Sequence, residues 1–286
     1  MEEKKNSYKF LNVILFIFVL CVGIVLYSRY LGVKGLIVKE YKLESTILTN
    51  NFSGIKIVHF SDLLYKSTVD ENDIKSLVDK INILEPDIVV FTGDLVNINA
   101  KTSDTDSEIL IKYLNEINAT IGKYAVYGDY DYSYSDYENV MKNSGFTVLN
   151  NTYEEVFYKD NNPLYIVGIP SSTKDKVDID ASFKFYKDED RRYTIVITHE
   201  GANIKYIDES TYEVDLILGG HSLNGSIVVP YYGPLFIDNA CYKYYEPHYS
   251  KGITDIYISS GVGTNKYSFR FNNKPSFNLY RLKAHS

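Results

Sequence analysis

Five apolar runs along the chain each end in a side chain able to hold a cation: Phe60-Ser61-Asp62, Phe91-Thr92-Gly93-Asp94, Tyr127-Gly128-Asp129, Ile197-Thr198-His199 and Leu218-Gly219-Gly220-His221. A buried strand is rigid, and a residue at its end is aimed into the crevice that neighbouring strand ends share. Carboxylate oxygens and imidazole nitrogens meeting there make a site for a divalent cation such as zinc, manganese or iron. Each residue alone has an ordinary reading: Asp62 as a helix cap, Gly93-Asp94 as a turn, a strand-end histidine as a hydrogen-bonding group. Five in order are a far more specific signal than any one of them.

The elements that would aim these residues are legible around them. Residues 55–60 and 87–91 read as short buried strands, and 124–127 as a third. Between the first two, Ile74, Leu77, Val78, Ile81 and Leu84 form one helical stripe over 73–84, which Pro86 stops. A second helix is expected over 107–117. The second half continues with strands at 164–167, 194–198, 216–218 and 256–259, and residues 36–48 alternate weakly like another. This alternation predicts an α/β domain whose sheet is covered by helices. Residues 171–190 are polar and read as a surface excursion, so one domain over 36–286 is the simplest organisation.

Residues 10–27 run without a charge, and at 1.5 Å per residue they span roughly 27 Å, close to the thickness of a bilayer's hydrocarbon core. The run is apolar all round and ends in Tyr27-Ser28-Arg29-Tyr30 rather than in small residues, which predicts a retained transmembrane anchor within residues 1–35. Cys21 follows Leu20 and reads as an ordinary membrane residue. Lysines and arginines flank the run on both sides, so the expectation of a single-pass protein of the cell membrane, its large domain outside the cytoplasm, rests on the shortness of the N-terminal tail. The net charge of -7 excludes an electrostatic footprint for nucleic acid, and two cysteines exclude a disulfide scaffold.

The ordered motifs, extended to Asp94-Leu95-Val96, Asp129-Tyr130-Asp131, His199-Glu200 and His221-Ser222-Leu223-Asn224-Gly225, resemble those of the calcineurin-like metallophosphoesterases. Residues 257–263, followed by Phe269-Arg270 and Lys274-Pro275, are similar to that family's membrane-associated bacterial branch. The resemblance implies a four-layer α/β sandwich of two packed mixed sheets, and two metal ions that activate a water against phosphorus. It assigns Asp62 to the first metal, Asp94 to the bridge, and Asp129, His199 and His221 to the second, with Asp129 standing where the family has Asn. Tyr130 takes the place of the family's catalytic His, and Asp131 matches the acidic residue that closes the same motif; these two are the catalytic candidates.

Leu64 and Leu223 occupy the positions of the first metal's two histidines, and leucine offers no lone pair. Both losses fall on one metal, so the expected cofactor is one manganese, zinc or iron ion rather than two. One dication against Asp62, Asp94, Asp129 and Asp131 leaves about -2, which repels a phosphate monoester unless Arg270, Arg191 or Arg192 intrudes. A phenol with a reference pKa near 10 is a weaker general acid than imidazole, so Tyr130 reads equally as a hydrogen-bond donor to phosphate or as an aromatic plug. His59 should point to the opposite face from Asp62. The functional expectation is a membrane-anchored, metal-dependent phosphoesterase. The alternative is an inactive pseudo-phosphoesterase that binds a protein partner or acts as a scaffold.

Overall fold

The structure is a computed structural model that describes residues 2–186, 191–207, 211–265 and 267–285, with side chains from residue 8 onward. The end of the 171–190 excursion, residues 187–190, lies outside the described residues. The chain opens with helix α1 (Glu2–Leu26), which continues into a wider-wound turn over Tyr27–Leu31. An 18-residue apolar window within Tyr8–Leu31 is uncovered, and the helix is long enough to cross a bilayer.

Among the described residues two six-stranded mixed sheets follow. The first runs in the order β1 (Ile37–Ser45), β14 (Ser276–Ala284), β2 (Lys56–Phe60), β3 (Ile88–Phe91), β4 (Gly122–Ala125) and β5 (Thr147–Val148). The second runs β12 (His248–Lys251), β13 (Thr254–Ile258), β9 (Leu216–Gly220), β8 (Thr194–Glu200), β7 (Leu164–Ile169) and β6 (Thr152–Val156). Strands β10 (Val228–Val229) and β11 (Gly233–Pro234) form a separate small hairpin.

Period-two alternation builds the layers. Ile57, Ile88 and Val90 of the first sheet meet Ile195, Ile197, Leu216 and Leu218 of the second in one inter-sheet core. Their sequence neighbours Val58, Val89 and Phe91 point the other way, onto helices α2 (Glu71–Ile83), α3 (Asp104–Asn115) and α4 (Tyr137–Asn143). Val196 and Ile217 likewise face outward, toward the short helix α5 (Ile179–Ser182) and the 3-10 turn Gly201–Tyr206. The result is the four-layer sandwich that the motifs imply. Because β2, β3 and β4 are mutually parallel, as are β8, β9 and β13, all their carboxyl ends open at one edge of the sandwich.

Two helix starts precede the apolar pattern, for a reason of capping. Asp70 accepts from the Asn72 and Asp73 amides while the Asp73 carboxylate accepts from the Asp70 amide, which carries α2 back to Glu71. Ser103 and Asp106 do the same for α3. Strand β14 has no counterpart in the sequence reading. It lies between β1 and β2 and buries both faces, with Phe277 and Leu279 toward the helices and Tyr280 and Leu282 between the sheets, so its alternation is interrupted at Leu279-Tyr280.

Candidate metal centre

Every cation-binding candidate of the sequence lies at that shared edge. Asp62 follows β2, Asp94 follows β3, Asp129 follows β4, His199 ends the inter-sheet row of β8, and His221 follows β9. Asp62, Asp94 and His221 are all left-handed, at φ 50, 63 and 67, a conformation unfavourable to residues with a Cβ and tolerated where the surroundings enforce it. Two glycines make that packing feasible. A Cβ on Gly128 would sit 2.2 Å from Asp94 Oδ1, and one on Gly220 would strike the Ser61 hydroxyl and lie 2.7 Å from Asp62 Oδ2.

On one side of the cluster three donor atoms converge, from Asp129, His199 and His221, and Asp94 reaches this set through His199 alone. His199 Nε2 lies 3.3 Å from Asp129 Oδ1, 3.5 Å from Asp94 Oδ2 and 3.1 Å from His221 Nδ1, which is itself 3.4 Å from Asp129 Oδ1. The other nitrogen of His199, Nδ1, donates to the Thr92 carbonyl at 2.6 Å, which turns the Nε2 lone pair toward the carboxylates. Asp129 Oδ1 and His221 Nε2 are buried without a hydrogen-bond partner. An orphaned carboxylate oxygen facing two imidazole nitrogens marks a place for a cation, and a mixed oxygen and nitrogen donor set fits a transition-metal dication.

The charges say the same. Burial lowers the affinity of His221 for a proton, yet Asp129 and Asp238 beside it raise its pKa to about 10. His199, also opposed by burial, is lifted well above its ordinary value by Asp94, Asp129 and Asp62. Asp129 is held well below the ordinary carboxylate range by the two imidazoles, against the effect of its burial. Without a cation the carboxylates draw protons onto the histidines, so positive charge is what this crevice demands.

The other side is poorer. Asp62 is buried, and its Oδ2 accepts from the Ser61 hydroxyl and from the His221 amide at 3.1 Å. Burial, with Asp94 adding to it, raises its pKa to about 6. Asp62, Asp94 and His199 form a second set of facing donors, but Leu64 and Leu223 are fully buried beside it. Leu223 and Asp62 crowd the same space above Gly261.

Tyr130 caps the cluster. Its amide donates to Asp94 Oδ1 at 2.9 Å and its hydroxyl donates to Asn265 Oδ1. Burial and then the carboxylates Asp94 and Asp129 push the phenol up to about 12. Asp131 faces inward: one oxygen accepts the Asp94 and Gly128 amides at 2.8 and 2.7 Å, and the other accepts Leu95 at 2.8 Å. Among the described residues neither Arg191 nor Arg270 bonds to a ligand candidate, although the Asp62 charge acts on Arg270. Arg191 is held by Asp215 and Glu213 before β8 and β9, the opposite ends of those strands, and Arg192 adjoins it there. Arg270 is buried and donates to the carbonyls of Ser260, Gly261 and Gly263, bracing the loop after β13. His59 lies between the sheets, 2.9 Å from the Thr92 hydroxyl.

Three further groups join the site unannounced by the sequence. Glu200 stands with Asp129, His199 and His221 in one set of facing donors, already bonded to Ser171 and Asn203. Asp238 Oδ1 comes within 3.7 Å of His221 Nε2 from the segment after β11, and Asn265 holds Tyr130. Glu200 had a signal, since it directly follows His199, whereas Asp238 and Asn265 lie in loops with no readable motif.

A family model described as calcineurin-like phosphoesterase matches residues 55–225, which hold all five strand-end ligand candidates. An uncharacterized metallophosphoesterase of Bacillus subtilis, YkuE, is 32% identical over 262 residues, covering 90% of this chain and 89% of that protein. A bovine transmembrane protein with a metallophosphoesterase domain is 25% identical over 198 residues, 63% of this chain and 43% of its own. Among solved structures, TT1561 of Thermus thermophilus aligns over 73% of this chain and 91% of its own with a TM-score of 0.47 at 12% identity.

Proposed function

The chain belongs to the calcineurin-like phosphoesterase family, and from that premise we propose that it is a membrane-anchored, metal-dependent phosphoesterase working at a one-cation centre of Asp94, Asp129, His199 and His221. The observation that carries this reading is the meeting of His199 Nε2, His221 Nδ1 and the orphaned Asp129 Oδ1 within 3.4 Å of one another. When bound, a divalent manganese, zinc or iron ion supplies charge to the phosphoryl oxygens and acidifies a water.

The protein's own groups do the rest. Thr92 fixes the His199 tautomer, and Asp131, a positioning residue in this reading, pins the amides that shape the turn carrying Asp94. Tyr130 is the group placed to donate a hydrogen bond to a phosphoryl oxygen, exchanging Asn265 for substrate. Its raised pKa makes it a donor rather than a proton source. In the hydrolysis, water forms a new phosphorus–oxygen bond, the bond to the departing alcohol breaks, and the proton released by water ends on that alcohol. Asp62, Glu200 and Asp238 add negative charge to the ligand carboxylates, so a singly charged phosphodiester suits the crevice better than a dianionic monoester.

The test is the metal content and aryl phosphodiester hydrolysis of the purified protein against its His199→Ala variant. We expect about one equivalent of metal and all measurable turnover to be lost together. Equal metal in both proteins, or turnover that survives both His199→Ala and His221→Ala, would overturn the reading. A metal-loaded protein without turnover would favour the binding-module alternative.

The anchor and the placement of the domain outside the cell membrane's cytoplasmic face are part of the same proposal. The anchor is supported by the exposed apolar length of α1 and by the membrane-linked relative, and the orientation by the shortness of the N-terminal tail. A cysteine added after Ser286 should react with a membrane-impermeant thiol reagent on intact cells; labelling only after lysis would reverse the orientation.

A further inference from the structure

The β10–β11 hairpin displays its apolar side chains to solvent. Tyr231 and Tyr232 at its tip are wholly and 78% exposed, and Phe236, just after it, is 67% exposed. Contiguous uncovered aromatics of this kind mark a surface that meets another apolar phase. The hairpin also has a fixed position relative to α1. The Val228 amide donates to the Phe271 carbonyl at 3.0 Å and the Phe271 amide to the Ser226 carbonyl at 3.1 Å. The Phe271 ring lies edge-on to Tyr27, with centroids 6.3 Å apart, and the Arg270 amide donates to the Ser28 carbonyl at 3.0 Å. The base of the hairpin is therefore docked on the last turn of the apolar helix, at the depth where tyrosines line a membrane interface.

Between the hairpin and the metal centre lies a cavity of about 250 Å³. Ile227, Phe236, Tyr267 and Phe269 line it, with the Phe236 and Tyr267 rings 6.4 Å apart, and Asp238 and Asn265 stand among them. Those two polar residues are the ones that reach His221 and Tyr130. The cavity is thus apolar toward the membrane and polar toward the cation ligands, which is the polarity of an amphiphile with its phosphate inward.

We propose that this cleft takes a membrane-lipid phosphodiester, its glycerol and chain side lying against Phe236 and Phe269 and its phosphoryl group at His221, with the hairpin bedded in the headgroup layer beside α1. The proposal rests on the anchored phosphoesterase reading above and names its substrate class.

The chain contains no tryptophan, so a single introduced one reports its own surroundings. The full-length protein, loaded with manganese, would be placed in phosphatidylcholine vesicles containing phosphatidylglycerol with brominated chains. Tyr231→Trp and Phe236→Trp should both be quenched. Phe157→Trp should not be, because Phe157 follows β6 at the opposite ends of the strands from the cation ligands and is exposed. Water-like, unquenched emission from Tyr231→Trp or Phe236→Trp would overturn the proposal whatever the activity. Turnover of the same protein is then compared on phosphatidylglycerol and on soluble bis(4-nitrophenyl) phosphate. Faster turnover of the lipid is expected, and Phe236→Asp should lower the ratio of lipid to soluble turnover by about tenfold. Hydrolysis of the soluble diester alone would sink the lipid assignment and leave the phosphoesterase reading standing. Turnover of neither, with both tryptophans quenched, would sink hydrolysis and leave lipid binding standing.

Discussion

The two halves of the cation cluster are built from the same strand-end geometry and differ in what fills them. On one half, Asp129, His199 and His221 turn donor atoms toward each other within 3.4 Å, and Asp129 Oδ1 has no hydrogen-bond partner. On the other, Asp62 is already bonded to the Ser61 hydroxyl and the His221 amide, and leucines 64 and 223 close the space beside it. The backbone is left-handed at 62, 64 and 223 alike, although the last two positions carry apolar side chains. Leucine packs and cannot ligate, so the Asp62 half offers fewer donor atoms.

The sharpest way to break this comparison is to return the missing imidazoles. Leu64→His together with Leu223→His should raise the metal content of the purified protein from about one equivalent toward two, because Asp62 and Asp94 are already in place. Elemental analysis reads the stoichiometry directly. Metal content unchanged in a folded double variant would mean that the backbone of the Asp62 half has also moved away from ligation.

A smaller effect is expected where the two halves are joined. Asp131 accepts three backbone amides, from Asp94, Leu95 and Gly128, and so sets the turn from which Asp94 faces both halves. In Asp131→Asn an amide donor replaces one of the accepting oxygens and faces an N–H, leaving a buried donor unsatisfied. The cost should be roughly 1–3 kcal/mol of stability, seen as a lower Tm. Metal affinity should fall with it while Leu95→Ala, which keeps its backbone amide, leaves affinity unaltered. An Asp131→Asn protein with undiminished metal affinity would remove Asp131 from any positioning role.

These residues also show what a sequence makes legible. Asp62, Asp94, Asp129, His199 and His221 were readable because each ends an apolar strand, and strand ends of parallel sheets are where side chains converge. The helix stripe at 74–81 was readable because one face is buried. Strand β14 was not, since a central strand buries both faces and loses its alternation. Asp238, Asn265 and Phe236 were not readable either: their partners His221, Tyr130 and Tyr267 are 17, 135 and 31 residues away through loops, and no local pattern encodes such a closure. The inward turn of Asp131 depends on three amides from two other segments, again a tertiary fact.

The smallest effect separates two buried histidines of opposite sign. His59, between the sheets, is pushed down to about 3 by burial, with the Thr92 and Tyr280 hydroxyls as its polar neighbours among the described residues. His221 in the cation-free protein is raised to about 10 by Asp129 and Asp238, against its burial. For His59 the unfolded chain binds the proton first, so its contribution is present above an ordinary pKa near 6.5 and is lost as pH falls toward 3, by up to about 1.4 kcal/mol per pH unit. For His221 the folded state binds the proton more tightly, so its contribution is present below about 6.5 and is lost as pH rises toward 10. A bound cation takes the place of the His221 proton and should abolish that alkaline loss, but it does nothing for His59. Melting curves across pH with and without a chelator should therefore differ on the alkaline side and run parallel on the acid side, and His59→Phe should flatten the acid limb alone. A chelator effect confined to acid pH would mean that His221 does not face the cation.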